Sequence, residues 1–257
     1  MGYDLPQELI VEFDGPVRIV TMNNPEHRNA FNDALHDGFV GLWAQIADDA
    51  DARAVVLTGA GKAFSAGGNI PGFIRDYNSL DHRRRSLRKA KRLVDEMINF
   101  HLPIVGAVNG PAVGLGCTAA VLCDIVYIAD TAYIADTHVN IGLVAGDGGA
   151  AMWPLMMSVL RAKEDLFTGD KIPAPVAVEL GLANRVVPAD DLMAEATALA
   201  HRLAAQPPQA LQETKRAVNV WLAQAAANVL PFALATEGES FTSDEVRATI
   251  EKFTKDA

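Results

Sequence analysis

The chain has 257 residues, of which 50% are hydrophobic and 21% are charged, so it can bury a sizeable core. That balance excludes an intrinsically disordered or collagen-like chain. The formal charge of −10 argues against nonspecific nucleic-acid binding by the whole surface. The two cysteines, Cys117 and Cys123, are too few for a disulfide framework, and their spacing fits no zinc pattern. We expect a globular cytoplasmic protein without a metal site, a membrane span or a signal peptide.

Short apolar runs alternate with amphipathic segments along most of the chain. The first two runs, 9–13 and 17–22, flank Asp14-Gly15-Pro16 and predict a β-hairpin. Further buried strands are predicted at 54–58, 103–108, 124–129, 133–135 and 186–188. Helical spacing of apolar residues predicts helices over 34–50, 82–99, from 114 and beyond 142, with an all-helical tail from 207. Buried strands separated by helices indicate an α/β fold built from βαβ units.

Two glycine-rich loops follow predicted strands and are candidates for a binding site. They span 59–69 and 109–116, and the second leads into a helix. Backbone N–H groups in such loops can point at a ligand oxygen, and two of them converging on one oxygen would form an oxyanion hole. Alternatively, both loops are tight turns that need glycine for a positive φ. Neither loop matches a dinucleotide fingerprint or a P-loop, so no nucleotide cofactor is indicated.

Five segments together resemble the crotonase (enoyl-CoA hydratase/isomerase) superfamily over essentially the whole chain. They follow the family's order and spacing at 24–30, 64–70, 107–117, 123–125 and 142–149. The resemblance implies a spiral β/α core of ββα repeats over residues 1–200 and a C-terminal helical trimerisation subdomain over 201–257. It also implies a coenzyme-A thioester substrate of fatty-acid metabolism, no separate cofactor, and self-association into a trimer or hexamer.

The resemblance also assigns roles to individual positions. The backbone N–H groups of Ala66 and Leu115 would hold the thioester oxygen, although the family usually has glycine where Leu115 stands. Because the donor is main chain, leucine need not abolish the oxyanion hole. Further contacts to the acyl-CoA would come from Arg28, Ala30, Asn69, Ile70 and Thr118.

The departures from the family concern the catalytic acids. Hydratases of this type carry one glutamate where this chain has Thr118 and a second where it has His138. Water addition uses such a pair to orient the water and to deliver a proton at Cα, so the two-glutamate mechanism cannot operate here as written. His138 and Asp147, with Asp136 as a further candidate, remain as groups that could move a proton.

Each of these residues also has a plain structural interpretation. His138 could be a buried histidine satisfied by the backbone, and Asp147 could cap the helix that follows it. Thr118 could be a wall of the pocket without a catalytic role. The basic run over 83–92 predicts either a solvated helix face or a positive rim that attracts the phosphates of coenzyme A. Phe241, Lys252 and Lys255 lie where family members contact a neighbouring subunit's coenzyme A.

Three hypotheses for the function follow. The first is an enoyl-CoA hydratase/isomerase-type lyase that stabilises a thioester enolate, with His138 and Asp147 moving the proton. The second is a β-diketone C–C hydrolase, because the segment from His138 through Asp147 to Trp153-Pro154 is also similar to 6-oxocamphor hydrolase, a crotonase relative. A further histidine of that enzyme falls on Leu115, so its catalytic set is not reproduced. The third is a catalytically silent acyl-CoA binder, prompted by the loss of both glutamates.

Overall fold

A computed structural model describes residues 2–255. Its strands are β1 Leu9–Asp14, β2 Val17–Met22, β3 Ala54–Gly59, β4 Ile104–Val108, β5 Ala112–Val113, β6 Ile125–Ala129, β7 Tyr133–Ala135, β8 Ile172–Pro173 and β9 Arg185–Val187. Its α-helices are α1 Asp33–Ala47, α2 Phe73–Asn78, α3 Leu80–Asn99, α4 Leu115–Val121, α5 Gly149–Met156, α6 Val159–Thr168, α7 Ala174–Leu180, α8 Leu192–Ala204, α9 Pro208–Ser240 and α10 Asp244–Lys255. The α/β class and each predicted strand are confirmed.

The main sheet has six strands in the order β1-β2-β3-β4-β6-β9. Strands β1 and β2 pair antiparallel as the predicted hairpin, and all the later pairings in this sheet are parallel. A second sheet holds β5, β7 and β8. Every residue of β3 and β4 is buried, which is expected of parallel strands covered on both faces.

Parallel β3 and β4 place the two glycine-rich loops at the same edge of the sheet. Two main-chain contacts then join these loops, since Val113 N–H donates to the Ser65 carbonyl at 2.9 Å and Ser65 pairs with Ala112 in an isolated parallel bridge. Phe31 N–H donates to the Gly67 carbonyl at 2.7 Å and ties the start of α1 to the same place. The sheet therefore brings three separate segments to one corner of the molecule.

Local signals explain the positions of the helices that surround this corner. The Asn32 side chain accepts from Leu35 N–H at 2.8 Å and caps α1, as expected of asparagine at a helix start. Ser79 caps α3 in the same way through His82 N–H at 3.2 Å. The predicted helices over 34–50 and 82–99 are confirmed within a few residues at either end.

The C-terminal helices pack against the core and against each other. Helix α8 buries apolar residues on β3 and β4, and the domain boundary predicted at residue 200 falls inside it. Helix α9 packs on α3 and α5, and α10 packs on α2. Within residues 2–255, Pro208–Ser240 is the one helix long and apolar enough to cross a membrane by length and composition alone, a test that helices of soluble proteins also pass.

Candidate active site

A cavity opens at the corner where the two glycine-rich loops meet. Its walls come from the start of α1, the loop before α2, helices α2 and α3, the start of α4, the segment between β7 and α5, and the end of α9. Of the predicted site residues it is lined by Ala66, Asn69, Ile70, Leu115, His138 and Asp147. The structure therefore brings two-thirds of the predicted residues together in one place.

His138 lies between two carboxylates. Its Nδ1 lies 2.6 Å from Asp136 Oδ1, and its Nε2 lies 3.2 Å from Asp147 Oδ2. All three residues are buried. Their partners are therefore side-chain carboxylates, which contradicts the interpretation of His138 as a histidine satisfied by the backbone.

The charge state of His138 follows from this geometry. Burial lowers the pKa of a histidine, but the negative charges of Asp147 and Asp136 outweigh burial and raise the pKa of His138 well above its usual value. An imidazolium donates from both ring nitrogens, so it can hold both carboxylates at once. His138 and Asp147 thus form an ion pair with a 3.2 Å contact, and both residues line the cavity.

Asp147 is held in place by a second group. Thr118 Oγ1 donates to Asp147 Oδ1 at 3.2 Å. Helix α5 has Gly148 at its N-cap and no side-chain cap, so the interpretation of Asp147 as a helix cap is wrong. Thr118 itself is 2% exposed and is not among the cavity-lining residues, which corrects its prediction as a substrate contact. It contacts Asp147 from the side away from the cavity.

A further acid that lines the cavity, Glu237 of α9, was not predicted. It is 5% exposed, and within residues 2–255 its Oε2 has no hydrogen-bond partner. Burial, and then repulsion from Asp147, raise the pKa of Glu237 well above its usual value despite the opposing charge of His138. A side chain on Gly146 would collide with this carboxyl and with the Ala233 carbonyl, so glycine is needed for the loop to pass α9. Glu237 therefore favours the neutral carboxylic acid form.

His36 of α1 also lines the cavity and was not predicted. Its Nε2 is buried without a partner among the described residues, and its ring lies 5.5 Å from that of Phe31 in an edge contact. Burial, and next the nearby charge of Lys89, lower the pKa of His36 to about 4. A polar residue between the buried positions Leu35 and Phe39 on an amphipathic helix was the available sequence signal.

The main-chain donors differ from the prediction at one of two positions. Ala66 N–H already donates to the Arg28 carbonyl at 2.8 Å, so the assignment of Ala66 to an oxyanion hole is wrong. Two residues later, Gly68 lines the cavity, and no acceptor in the described chain engages its N–H. Leu115 is the first residue of α4, where a helix leaves its N–H groups without intrahelical acceptors. Gly68 and Leu115 are therefore the free donors at this corner.

Glycine conformation explains this shift of two residues. Gly67 has φ +84°, which turns the chain between Ala66 and Gly68, and a side chain there would meet the Val113 carbonyl. Gly114, with φ +52°, makes a similar reversal immediately before Leu115. Leu115 N lies within 3.4 Å of the position that a Gly67 side chain would take, so the two loops present their donors close together.

Two predicted contacts to coenzyme A lie outside the cavity. Arg28 is exposed, with φ +52°, and Ala30 is 9% exposed, and neither lines the cavity. Their predicted contact with the acyl-CoA is not supported by the position of the cavity. Phe241, predicted to serve a neighbouring subunit, instead lines the cavity of its own chain and makes an edge contact with Phe73 at 5.2 Å.

The basic run of α3 divides into two faces. Lys89 lines the cavity and lies 2.8 Å from Asp37 Oδ1, so part of its charge is compensated. Arg84, Arg85 and Arg88 are exposed, in line with a solvated helix face. In the described part of the chain, no group of three or more His, Cys, Asp or Glu side chains has an arrangement that could hold a metal ion.

The fold and this cavity define a protein of the crotonase superfamily. Residues 12–256 match the family described as enoyl-CoA hydratase/isomerase, and the chain belongs to that family. It is 30% identical to the short-chain-enoyl-CoA hydratase of Clostridium acetobutylicum over 95% of this chain and 94% of that protein. It is 31% identical to the 2,3-dehydroadipyl-CoA hydratase of Escherichia coli over 91% and 89%.

A solved structure agrees in fold along the whole chain. A crystal structure of an enoyl-CoA hydratase/isomerase from Mycobacterium paratuberculosis superposes with a TM-score of 0.94 at 48% identity, covering 97% of this chain and 100% of that one. The predicted crotonase core with its helical C-terminal region is thereby confirmed. An acyl-CoA thioester substrate is consistent with this membership.

Proposed function

We propose that the protein is an acyl-CoA enzyme of the hydratase/isomerase type that stabilises a thioester enolate. The observation that carries the proposal is one cavity holding two free main-chain donors and a buried carboxylate. Gly68 and Leu115 N–H groups would bind the thioester oxygen, with Gly68 in the role first expected of Ala66. Donors fixed in a buried site stabilise developing negative charge strongly.

The proton at Cα is assigned to the pair of His138 and Asp147. His138 Nε2 lies 3.2 Å from Asp147 Oδ2, with Asp136 holding the ring from the other side and Thr118 donating to the carboxylate of Asp147. The Asp147 carboxylate placed this way can take a proton from Cα and return it, while the imidazolium of His138 keeps its own protons and stabilises the carboxylate as its neighbour. Positioned proton transfer of this kind contributes about 10²–10⁴-fold to rate.

Glu237 supplies a second carboxyl group to the same cavity. The two positions where hydratases carry glutamate are threonine and histidine here, but Asp147 and Glu237 bring two carboxyl groups from other segments. Their environments differ, since Asp147 faces the His138 charge and Glu237 favours its neutral form. Carboxyl groups held in different environments are the arrangement that acid–base catalysis uses. This supports an active enzyme over a silent acyl-CoA binder.

A second candidate function is hydrolysis of a C–C bond in a β-diketone. One observation favours it, namely that the buried carboxyl group of Asp147 lines the cavity beside His138, where it could take a proton from a water molecule. In such a reaction the hydroxyl of water adds to one carbonyl, the adjacent C–C bond breaks, and the enolate formed takes a proton. The products are a carboxylic acid and a ketone, and no oxidant or metal is required.

A substrate panel separates these functions. Turnover of crotonyl-CoA, followed as loss of the conjugated thioester absorbance, is expected for the first proposal. Cleavage of cyclic β-diketones, followed as loss of the enol absorbance, with no action on crotonyl-CoA would replace it with the second. If calorimetry shows binding of butyryl-CoA but neither substrate is turned over, the protein is a catalytically silent acyl-CoA binder.

We also propose that the protein self-associates through its helical region. Support comes from large apolar side chains left on the surface of α6 and α9: Leu160 and Phe167, with Trp221 and Phe232. Patches of this kind on a soluble protein mark interfaces. Sedimentation analysis is expected to give a trimer or hexamer, and a monomer at micromolar concentration would contradict the proposal.

A further inference from the structure

A second Asp–His pair lies in the cavity, and the proposed reaction does not use it. Asp76 of α2 is 4% exposed, and its Oδ1 lies 2.8 Å from His82 Nδ1. The same oxygen accepts from Ser86 Oγ at 2.7 Å. All three side chains line the cavity together with His138 and Asp147. A buried acid, a histidine and a hydroxyl thus meet on the wall formed by α2 and α3.

The contact with Asp76 orients the ring of His82. A carboxylate at Nδ1 keeps the proton on that nitrogen and leaves Nε2 to face other partners. Within residues 2–255 no hydrogen-bond partner engages the Nε2 of His82, and the side chain keeps 18% of its surface exposed. A neutral ring would accept a hydrogen bond at Nε2, and a protonated ring would donate one. A hydroxyl group of a ligand satisfies either state.

The neighbouring wall of the cavity is apolar. Phe73, Leu87 and Phe241 line it, and the rings of Phe73 and Phe241 are 5.2 Å apart. Ligand pockets are commonly of this kind, with apolar walls and a few polar groups that fix orientation. A purely hydrocarbon tail at this wall would cover His82 and leave its free nitrogen without a partner, which disfavours binding.

We infer that His82 recognises an oxygen atom on the acyl group beyond the thioester, a hydroxyl or a ketone. Asp76 and Ser86 are positioning residues that set the ring orientation. The inference rests on the proposed acyl-CoA function and narrows its substrate class to acyl chains that carry a distal uncharged oxygen. The competing explanation is that the cluster only joins α2 to α3, as the Arg83 contact with the Asp76 carbonyl at 2.7 Å does.

Calorimetric binding of two saturated thioesters tests the inference without requiring turnover. The probes are hexanoyl-CoA and 5-hydroxyhexanoyl-CoA, which differ by one oxygen atom, with the full-length protein. We expect the hydroxylated probe to bind at least 10-fold more tightly, since a site built around a hydrogen bond discriminates against a ligand that lacks it. His82→Leu should remove this preference, by weakening the binding of 5-hydroxyhexanoyl-CoA and by relieving the cost of covering an unpaired nitrogen with the chain of hexanoyl-CoA.

A matched control is provided by His201, whose Nε2 lies 2.9 Å from Asp14 Oδ2 at the surface, away from the cavity. His201→Leu should keep the full preference. Ser86→Ala, a milder change that keeps the His82–Asp76 contact, should lower the preference only in part and serves if His82→Leu does not fold. Equal affinities for the two probes, or a preference that survives His82→Leu, would overturn the inference while the proposed function stands. Failure to bind either probe would overturn both.

Discussion

Two groups of charged side chains in this molecule have opposite balances. In the first, Lys215 Nζ lies 2.7 Å from Asp124 Oδ2 and donates to the Leu102 carbonyl at 2.7 Å, so one cation meets one carboxylate. In the second, the single imidazole of His138 meets Asp136 and Asp147. The first group joins α9 to the edge of the sheet, and the second lines a cavity.

The pKa directions follow from these balances. Burial lowers the pKa of Lys215 and raises that of Asp124, and their attraction to each other only partly offsets it. At His138 the two carboxylates outweigh burial, so the pKa rises. The Lys215–Asp124 pair, with one charge of each sign, joins two elements of the structure. At His138 two carboxylates face one imidazole beside an open cavity, so an acid–base group is available to a ligand.

The largest expected effect distinguishes the two groups directly. Asp147→Asn keeps the shape of the side chain and its contacts with Thr118 and His138 but removes its ability to take a proton. We expect kcat/KM for crotonyl-CoA to fall about 10²–10⁴-fold, the size of a lost proton-transfer step. The melting temperature, measured in parallel, should change little.

The same substitution in the balanced pair is the control. Asp124→Asn removes the counter-charge of the half-buried Lys215, so the free energy of unfolding should fall by about 1–3 kcal/mol, less than for a fully buried pair because Asp124 is exposed to solvent. Turnover by the folded variant should stay within about twofold of the parent, since Asp124 does not line the cavity. Similar losses of turnover in both variants would assign Asp147 a structural role like that of Asp124.

The next effect concerns the main-chain donor beside the acid group. Leu115→Pro removes one N–H at the first position of α4, where proline fits a helix. We expect kcat to fall about 10²–10³-fold, as when an oxyanion-hole donor is lost. Leu115→Ala keeps the N–H and should retain turnover within a few fold. Equal activity of the two variants would remove Leu115 from the oxyanion hole.

Glu237→Gln tests the acid of α9 that lines the cavity with His138 and Asp147. The pKa of Glu237 is raised in the folded protein, so its contribution to stability is lost as pH rises above the unfolded value of about 4.3. The variant cannot ionise, and its melting temperature should therefore fall less than that of the parent between pH 5 and pH 8. Turnover should fall about 10²-fold if Glu237 gives a proton. An unchanged rate would leave Glu237 outside the reaction.

The smallest effect is expected at His36. Its pKa of about 4 lies below the unfolded value of about 6.5, so the unfolded chain binds more protons and stability falls as pH drops through this window. The lowered pKa of His36 corresponds to a loss of about 2–3 kcal/mol in the free energy of unfolding between pH 7 and pH 4. His36→Gln should not show this loss. Chemical denaturation at both pH values measures it, with His201→Gln as an exposed control. An identical pH dependence in His36→Gln and the parent would contradict the assignment.

The strands and helices were predictable because their signals are local. The hydrophobic pattern that predicts a strand or a helix is visible within a few consecutive residues. The predicted strands therefore agree closely with the hairpin of β1 and β2 and with the parallel strands β3, β4 and β6. The two glycine-rich loops were also predicted, and the sheet brings them together as expected of parallel strands. The family resemblance came from the order of these same segments.

The chemistry of the cavity was predictable only in part. His138 and Asp147 were identified from the sequence, but their 3.2 Å contact depends on the turn between β7 and α5. The sequence analysis predicts the N–H of Ala66 as an oxyanion-hole donor, whereas the N–H without an acceptor in the described chain belongs to Gly68. The direction of a main-chain N–H depends here on the dihedral angles of Gly67, which composition does not specify.

The sequence by itself determined the α/β class, the positions of the strands and helices and the loss of both usual glutamates, because each is carried by neighbouring residues or by residue identity. Only the tertiary structure decided which acids share the cavity. Glu237 lies in α9, ninety positions after Asp147, and His36 lies in α1, yet all three line one cavity. Burial and charge act through space over a few ångströms, so the protonation of each group depends on neighbours that lie far away along the chain.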